Sequence, residues 1–182
     1  DPALKKARAL LFMPDLLGWS LTGVKRSEYT IASTSGLLDV RTRNWAYDLM
    51  KRLSIPAGIF MPLDMPGTLR GTLLPQVAEE LGLPRVPCAA VGGHDTASAV
   101  AAIPGTGDFA FCSSGTWSLF GMETDSPVLS DFVFDSNFSN EGTVQGGFRP
   151  LKNIMGLWIV QECRREWARE TGQTLDWEDI KA

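Results

Sequence analysis

A short apolar segment at Val86–Val91 runs directly into Gly92 and Gly93, and a helix of small residues is predicted to follow at Thr96–Ile103. The apolar segment is typical of a buried strand, so the two glycines stand where a strand ends and a helix begins. Open α/β sheets bind their ligands at such junctions, because glycine lets a ligand approach the backbone and a helix start offers free N–H groups. The junction therefore favours an α/β fold with a candidate site at Gly92–Thr96.

The composition indicates a globular protein, with 44% hydrophobic and 21% charged residues among 182. The 17 Lys and Arg residues against 21 Asp and Glu residues give a net charge of −4. This balance disfavours a nucleic-acid-binding surface, which needs clustered positive charge. Apolar runs such as 97–104 are far shorter than the roughly 20 residues that cross a bilayer, so no membrane association is expected.

The cysteine and histidine content argues against disulfide and metal frameworks. Cys88, Cys112 and Cys163 are odd in number, widely spaced and form no C-x-x-C pattern. A single histidine, His94, excludes a metal site built from several imidazoles. We expect a protein of a reducing compartment, the cytoplasm, with no metal ligands contributed by this chain.

Two patterns in the sequence describe local structure. Apolar spacing over residues 4–23 predicts a helix that Pro14 should kink or break. Residues 108–112 and 116–122 are predicted to be two strands joined as a hairpin by a Ser/Gly turn. Helices thus dominate the first half, and a hairpin opens the second.

This change of pattern places a domain boundary near residues 92–106. A long helix is expected at Leu151–Arg169, beyond the hairpin. The sequence starts at Asp1 without an initiator methionine and ends where another helix is beginning, at Thr174–Ala182. Both ends are interpreted as interior to a longer protein.

The candidate site contains one carboxylate, that of Asp95. A carboxylate at the start of a helix can act as general base for an incoming hydroxyl. Aspartate is also a preferred N-cap, so a purely structural role in capping the following helix is an alternative on residue chemistry alone. A lone histidine such as His94 is more often a hydrogen-bonded structural residue than a catalyst.

A second candidate is the small-residue segment Cys112–Ser118 at the hairpin turn. Consecutive backbone N–H groups around Gly115 could point at a phosphate. The segment is neither a P-loop, since G-x-x-x-x-G-K-[ST] is absent, nor the G-x-S-x-G elbow of esterases. An ordinary tight turn remains the alternative.

A third candidate lies in the predicted long helix. Asn153 is interpreted as the N-cap of that helix, and Gln161, eight residues on, would share its face. A capped amphipathic core helix explains the pattern equally well.

In their order and spacing these segments resemble the FGGY family of carbohydrate kinases, over nearly the whole chain. The motifs that carry the resemblance are Leu21-Thr22-Gly23, Glu28-Tyr29-Thr30, Gly67-Thr68, His94–Val100, Ser113–Leu119 and Leu151–Trp158. Each motif is weak alone, and their combination is specific. Within the family, His94–Val100 is very close to the form found in kinases that act on L-rhamnulose.

The resemblance implies the actin-like ATPase fold, in which two ribonuclease-H-like domains flank a cleft. Residues 1–92 would form the C-terminal part of the first, sugar-binding domain. Residues 93–182 would form the N-terminal part of the second, nucleotide-binding domain. The boundary near residues 92–106 is where a hinge between the domains would run.

The resemblance also implies an activity and its residues. ATP, with Mg²⁺ bridging its phosphates, would phosphorylate a ketose, with L-rhamnulose giving L-rhamnulose 1-phosphate in rhamnose catabolism. Asp95 would be the base that takes the proton from the sugar hydroxyl. The other residues would bind the sugar (His94, Thr96 and Asn153, together with Asp95) or the nucleotide (Ser114, Gly115, Thr116 and Gln161).

Three alternatives stay open. L-fuculokinase or another family member resembles the Gly93-His94-Asp95-Thr96 pattern, and a non-catalytic sugar-binding relative could keep the fold, although Asp95 argues against it. A serine or cysteine hydrolase has little support, because the nucleophile elbow is absent. The oligomeric state is left open.

Two family motifs do not occur in this sequence. They are the N-terminal Asp-x-Gly-Thr phosphate loop and the C-terminal glycine-rich adenosine segment. The rest of the kinase chain would be the missing partner of these residues, and we expect the 182 residues alone to be inactive.

Overall fold

The computed structural model describes residues 6–181, which form a mixed α/β structure. The first half contains small elements: α1 (Met13–Thr22), β1 (Ser27–Glu28), α2 (Tyr29–Ser33), β2 (Leu38–Asp39), β3 (Asn44–Trp45), α3 (Tyr47–Arg52), β4 (Leu63–Asp64), β5 (Leu69–Thr72), α4 (Pro75–Glu80) and β6 (Pro87–Ala89). The second half contains α5 (Asp95–Ala101), β7 (Ala110–Ser114), β8 (Trp117–Met122), α6 (Asp131–Asp135), β9 (Ser139–Gly142), β10 (Phe148–Met155), α7 (Trp158–Thr171) and α8 (Trp177–Lys181).

Helix α1 corrects the expectation of a break at Pro14. The helix begins at Met13, so Pro14 lies in its first turn, where the missing N–H has no helical partner to lose. The last helical residue is Thr22, and Gly23 caps the helix, as the spacing predicted. Gly23 itself adopts a left-handed conformation with φ 75°. Pro14 therefore lies in the first turn of the helix, whereas residues 7–12, which the spacing placed in a helix, are not helical, and residues 4 and 5 lie outside the described part of the chain.

Three two-stranded ladders organise the first half. Strands β1 and β4 pair in parallel, whereas β2 pairs with β3 and β5 with β6 in antiparallel fashion. The core beneath them consists of the buried Ala32, Trp45 and Met50. The Trp45 ring contacts Phe60 with 4.8 Å between centroids, and its Nε1 donates to the Met61 carbonyl at 2.8 Å.

The second half is built on one four-stranded antiparallel sheet with strand order β7-β8-β10-β9. The predicted hairpin is present as β7 and β8, which pair from Ala110 with Met122 to Ser114 with Ser118. Helix α5 packs on this sheet through Val100, which joins Phe111 and Leu151 in a second buried cluster.

The expected helix at Leu151–Arg169 is wrong over its first seven residues. Leu151–Met155 belongs to β10 and pairs with β8, from Leu151 opposite Gly121 to Met155 opposite Trp117. The helix α7 starts only at Trp158. The apolar residues in this stretch fit the spacing of a helix and that of a strand. The stretch becomes a strand because it pairs with β8.

The two halves meet where α2 packs against β9. Ser33 Oγ accepts a hydrogen bond from the Gly142 N–H at 2.8 Å. The Tyr29 ring lies so close that a Cβ on Gly142 would stand 2.4 Å from its Cε1. Beside them the Arg43 guanidinium stacks over the Phe148 ring at 4.9 Å. The interface requires glycine at position 142.

Within residues 6–181, none of the helices has the length and apolar character needed to cross a membrane.

Replacing Gly142 by alanine should lower the free energy of unfolding by about 1–3 kcal/mol, because the Tyr29 ring must move. Chemical unfolding of the protein measures the change. The matched control is Gly58→Ala, where an added Cβ meets nothing within 4 Å, and its effect should stay within about 0.5 kcal/mol. Equal stability of the two variants would contradict the packing described.

Candidate functional site

The Gly92–Thr96 junction lies between β6 and α5, as the sequence predicted. The structure corrects the capping interpretation of Asp95: His94 occupies the N-cap position, with φ −80° and ψ 118°, and Asp95 is the first helical residue. Asp95 Oδ1 accepts the N–H of Thr96 at 2.7 Å. The Asp95 side chain is 97% exposed, and its Oδ2 has no hydrogen-bond partner among the described residues. One carboxylate oxygen thus faces solvent.

The backbone before Asp95 is held by a buried carboxylate, Glu28. The Gly93 N–H donates to Glu28 Oε2 at 2.8 Å, and the His94 N–H donates to Thr30 Oγ1 at 3.1 Å. Thr30 Oγ1 in turn donates to Glu28 Oε2 at 2.6 Å. A Cβ on Gly93 would lie 3.0 Å from Glu28 Oε2 and 3.2 Å from Pro14 Cβ. The close approach of Glu28 therefore depends on glycine at position 93.

Glu28 is itself held from below by Asp15. Asp15 accepts the Glu28 N–H at 3.0 Å and the Arg70 Nη1–H at 2.9 Å. Arg70 Nε bonds Asp64 at 3.0 Å. Burial raises the pKa of Asp15 above its ordinary value, although the hydrogen bonds from Arg70 and Glu28 oppose the rise.

The His94 ring lies between Asp95 and a buried ion pair. Its Nδ1 is 2.8 Å from Arg149 Nη2 and 3.2 Å from Glu141 Oε2. Arg149 Nη2 also donates to Glu141 Oε2 at 2.8 Å. On the other side, His94 Nε2 is 3.6 Å from Asp95 Oδ1, slightly beyond hydrogen-bond distance.

Glu141 is ionised in this cluster. Burial alone would raise the pKa of its carboxyl, but the contacts with His94 and Arg149 outweigh burial and hold the pKa below its ordinary value. Sequence reasoning assigned no role to Glu28, Thr30, Glu141 or Arg149. Glu28 and Thr30 entered only as part of the motif Glu28-Tyr29-Thr30, and no local signal marked Glu141 or Arg149.

The side chain of Thr96 is buried, and its Oγ1 lies 3.4 Å from Asp95 Oδ1. Its hydroxyl thus points toward the neighbouring carboxylate. The predicted sugar residues His94, Asp95 and Thr96 are together by chain continuity.

Asn153 is not a helix cap, in contrast to the expectation. It lies in β10 opposite Leu119, and its side chain is exposed. Alternate residues of a strand face the same side, so Asn153 shares a face of β10 with Arg149, about 13 Å away at the Cα atoms. Asn153 therefore lies on the same strand as Arg149 but about 13 Å along it from this member of the cluster around His94.

Three of the four predicted nucleotide-binding residues lie at the turn of the β7–β8 hairpin. Ser114, Gly115 and Thr116 form its turn, where Ser114 Oγ is 2.8 Å from Ser118 Oγ. The Gly115 N–H donates to the Trp117 carbonyl at 2.7 Å, so this group is already paired.

This turn is tied to the start of α7. The Leu157 N–H donates to the Gly115 carbonyl at 2.9 Å, and the Trp158 N–H to the Thr116 carbonyl at 3.3 Å. Thr116 also lines a cavity of about 100 Å³ with Trp117, Met155 and Trp158. The hairpin turn and the helix start form one unit.

Gln161 lies in the first turn of α7, whereas Asn153 lies in β10. The expectation that they share a helix face is therefore wrong. Gln161 lines a groove of about 490 Å³ with basic side chains that include Arg164 and Arg165. The Trp177 ring also lines the groove, 4.6 Å from the Arg164 guanidinium. Arg164 and Arg165 thus bring two cationic groups to the groove beside Gln161, and Arg165 is paired with Glu162.

The pH dependence of stability should reveal the Glu141 ion pair. Because the pKa of Glu141 is lowered in the folded state, its contribution is present above the unfolded pKa and is lost as pH falls through the folded pKa. Glu141→Gln should therefore lower the free energy of unfolding by about 3 kcal/mol at pH 7. This gap should shrink as the pH falls below about 4.

Unfolding curves of the two proteins between pH 7 and pH 3 measure the gap. The matched control, Glu80→Gln, changes an exposed glutamate of α4 and should have little effect at any pH. A gap for Glu141→Gln that is constant with pH would rule out an ionised Glu141.

Comparison with known proteins assigns the two halves of the chain. Residues 2–102 match the N-terminal domain of the FGGY family of carbohydrate kinases, and residues 110–182 match its C-terminal domain. The division between residues 92 and 93 stays a prediction.

Curated relatives and solved structures agree with this assignment. A rhamnulokinase from Bacteroides thetaiotaomicron is 46% identical over 92% of this chain and 35% of its own length. A rhamnulokinase from Oceanobacillus iheyensis is 42% identical over the same shares. The structure of a ligand-bound xylulose kinase from Lactobacillus acidophilus superposes with a TM-score of 0.72 at 17% identity, over 91% of this chain and 32% of that one.

The chain thus spans about a third of the length of the curated relatives it matches. Its α/β structure is part of the actin-like ATPase fold of these sugar kinases, as the sequence predicted. The matches to both domains cover nearly all of the chain. The chain belongs to the FGGY family of carbohydrate kinases.

Proposed function

We propose that the complete protein transfers the γ-phosphoryl group of Mg-ATP to the C1 hydroxyl of a ketose. L-rhamnulose is the proposed substrate, because the chain is similar to rhamnulokinases at 42–46% identity in the two relatives described above. The observation that carries the mechanism is the exposed Asp95 carboxylate on a backbone anchored by buried hydrogen bonds.

Asp95 Oδ2 accepts the proton of the sugar hydroxyl as the hydroxyl oxygen attacks the γ-phosphorus and ADP leaves. Phosphoryl transfer has a loose transition state, so orienting the hydroxyl matters more than strong basicity. The Thr96 N–H on Oδ1 keeps the carboxylate oriented, and His94 and Asn153 complete the proposed sugar pocket.

The nucleotide would bind beside the hairpin turn and α7. Ser114, Gly115 and Thr116 would approach the phosphates, and Gln161 the rest of the nucleotide. The hydrogen bonds between the turn and the helix start support a shared role, since they keep the two segments in fixed relation.

Mg²⁺ enters as part of the Mg-ATP substrate in this proposal. No group of three or more histidine, cysteine or carboxylate side chains in residues 6–181 is placed to hold a metal ion. The three cysteines of the chain are free thiols, which suits a reaction in the reducing cytoplasm.

Replacing Asp95 by asparagine in the full-length protein should lower kcat by about 10²–10⁴-fold, because the proton acceptor is lost. Binding of the sugar should remain, since asparagine keeps the size of the side chain. ADP release with L-rhamnulose, L-fuculose, xylulose and glycerol, each with Mg-ATP, measures turnover. Calorimetric titration with the same sugars measures binding.

The matched control is Asp125→Asn, which changes a solvent-exposed carboxylate outside the junction. Turnover on L-rhamnulose that vanishes only in Asp95→Asn supports the assignment of Asp95 as the base and of L-rhamnulose as the substrate. Turnover on L-fuculose or another sugar would change the substrate assignment and keep Asp95 as the base. Sugar binding without any turnover would favour the non-catalytic alternative.

The 182 residues alone should show no sugar-dependent ADP release. They span about a third of the relatives' length, and apolar side chains around the hairpin turn and the start of α7 are about half exposed, at Trp117, Met155 and Leu157. Such surface is typical of contacts with further protein. An activity assay of the isolated chain beside the full-length protein checks this, and turnover by the isolated chain would refute it.

A further inference from the structure

The ion pair behind His94 has an unusual arrangement. Arg149 is fully buried, with no exposed surface, in the middle of the sheet. Its Nη2 is 2.8 Å from two acceptors, Glu141 Oε2 and His94 Nδ1. A guanidinium nitrogen of this type carries two protons, so Nη2 can donate one to each.

This geometry determines which ring nitrogen of His94 carries the proton. Arginine only donates, so Nδ1 must accept, and a neutral ring then carries its proton on Nε2. The opposite tautomer would donate Nδ1–H to Glu141 across 3.2 Å, but would set that N–H against the Arg149 N–H at 2.8 Å. The Arg149 contact is the shorter of the two and therefore favours the Nε2–H tautomer, in which the lowered pKa of Glu141 depends on Arg149 and not on a hydrogen bond from His94.

The Nε2–H faces Asp95. The distance from Nε2 to Asp95 Oδ1 is 3.6 Å, and the exposed Asp95 side chain can rotate slightly while Oδ1 keeps the hydrogen bond from the Thr96 N–H. A small rotation brings the carboxylate within hydrogen-bond distance of Nε2. His94 is then a donor that orients the carboxylate through Oδ1.

The fold gains little from this arginine. Two of its nitrogens, Nε and Nη1, are buried without a hydrogen-bond partner among the described residues. Unpaired buried donors and a buried charge are costly, and apolar residues of similar volume often replace such pairs without loss of stability. The side-chain partners of Arg149 among the described residues are Glu141 and His94, so its contact with His94 is one of the two hydrogen bonds that fix its position.

We propose that Arg149 and Glu141 are positioning residues that fix the Nε2–H tautomer of His94 and through it orient Asp95 for phosphoryl transfer. Glu141 acts by holding Arg149 Nη2 in place. This inference rests on the proposed kinase function, in which Asp95 is the base.

The first measurement reads the tautomer and needs no turnover. In the full-length protein with ¹⁵N-labelled histidine, the His94 signals are identified by their loss in His94→Asn. We expect a directly bonded proton on Nε2 and none on Nδ1. A proton on Nδ1 in the unaltered protein would overturn the proposal, whatever the enzyme's substrate proves to be.

The second measurement uses Arg149→Met combined with Glu141→Gln, which removes both charges of the Arg149–Glu141 ion pair together. We expect a mixed His94 tautomer, a kcat lowered about 10- to 100-fold, as for other partners that orient a functional histidine, and a sugar KM within about threefold of the parent, since neither residue is placed in the sugar pocket. Arg149→Lys, which keeps a cationic donor, should recover part of both the tautomer and kcat.

Arg70→Lys is the matched control, because Arg70 is another buried arginine, paired with Asp15 and Asp64. It should lower the thermal midpoint and leave the His94 tautomer unchanged. An unchanged kcat in the folded double variant would overturn the proposal. A change of the His94 tautomer in Arg70→Lys as large as that in the double variant would overturn it as well. Failure of Asp95→Asn to abolish turnover would instead refute the proposed base, and the tautomer measurement would still stand.

Discussion

The buried carboxylate of Glu28 is the interaction on which the candidate site depends. It accepts the N–H groups of Thr30 and Ile31 at the start of α2 and the Gly93 N–H from 65 residues further along the chain. A carboxylate satisfied by several N–H donors forms strong, directional bonds in a buried setting. These bonds tie the backbone that carries Asp95 to the first half of the chain.

The second half holds the same loop from the other side. Arg149 and Glu141 contact the His94 ring, while Gly142, next to Glu141, bonds Ser33 of α2. The loop before Asp95 is therefore held between two parts of the chain, and the Asp95 side chain extends from it into solvent. Such an arrangement suits phosphoryl transfer, in which orientation of the reacting groups contributes most.

Local features of the site could be predicted from the sequence, and long-range features could not. The Gly92–Thr96 junction was predicted because its signals, an apolar run and paired glycines, are adjacent in the chain. The strand at Leu151–Met155 was taken for a helix, because its apolar residues fit both periods and only pairing with β8 decides. Arg149 lies 55 residues from His94, and no pattern in a single sequence connects them. The family resemblance identified the fold where local patterns left it open.

Amide hydrogen exchange at Gly93 and His94 in the full-length protein tests most directly whether Glu28 holds the site. We expect both amides to exchange slowly, and to exchange at least about tenfold faster in Glu28→Gln, because the loss of one charged hydrogen bond is worth about 1.5–3 kcal/mol. The amides of the β8–β10 ladder should be unaffected. Fast exchange at Gly93 in the unaltered protein, or protection that Glu28→Gln leaves unchanged, would contradict the account.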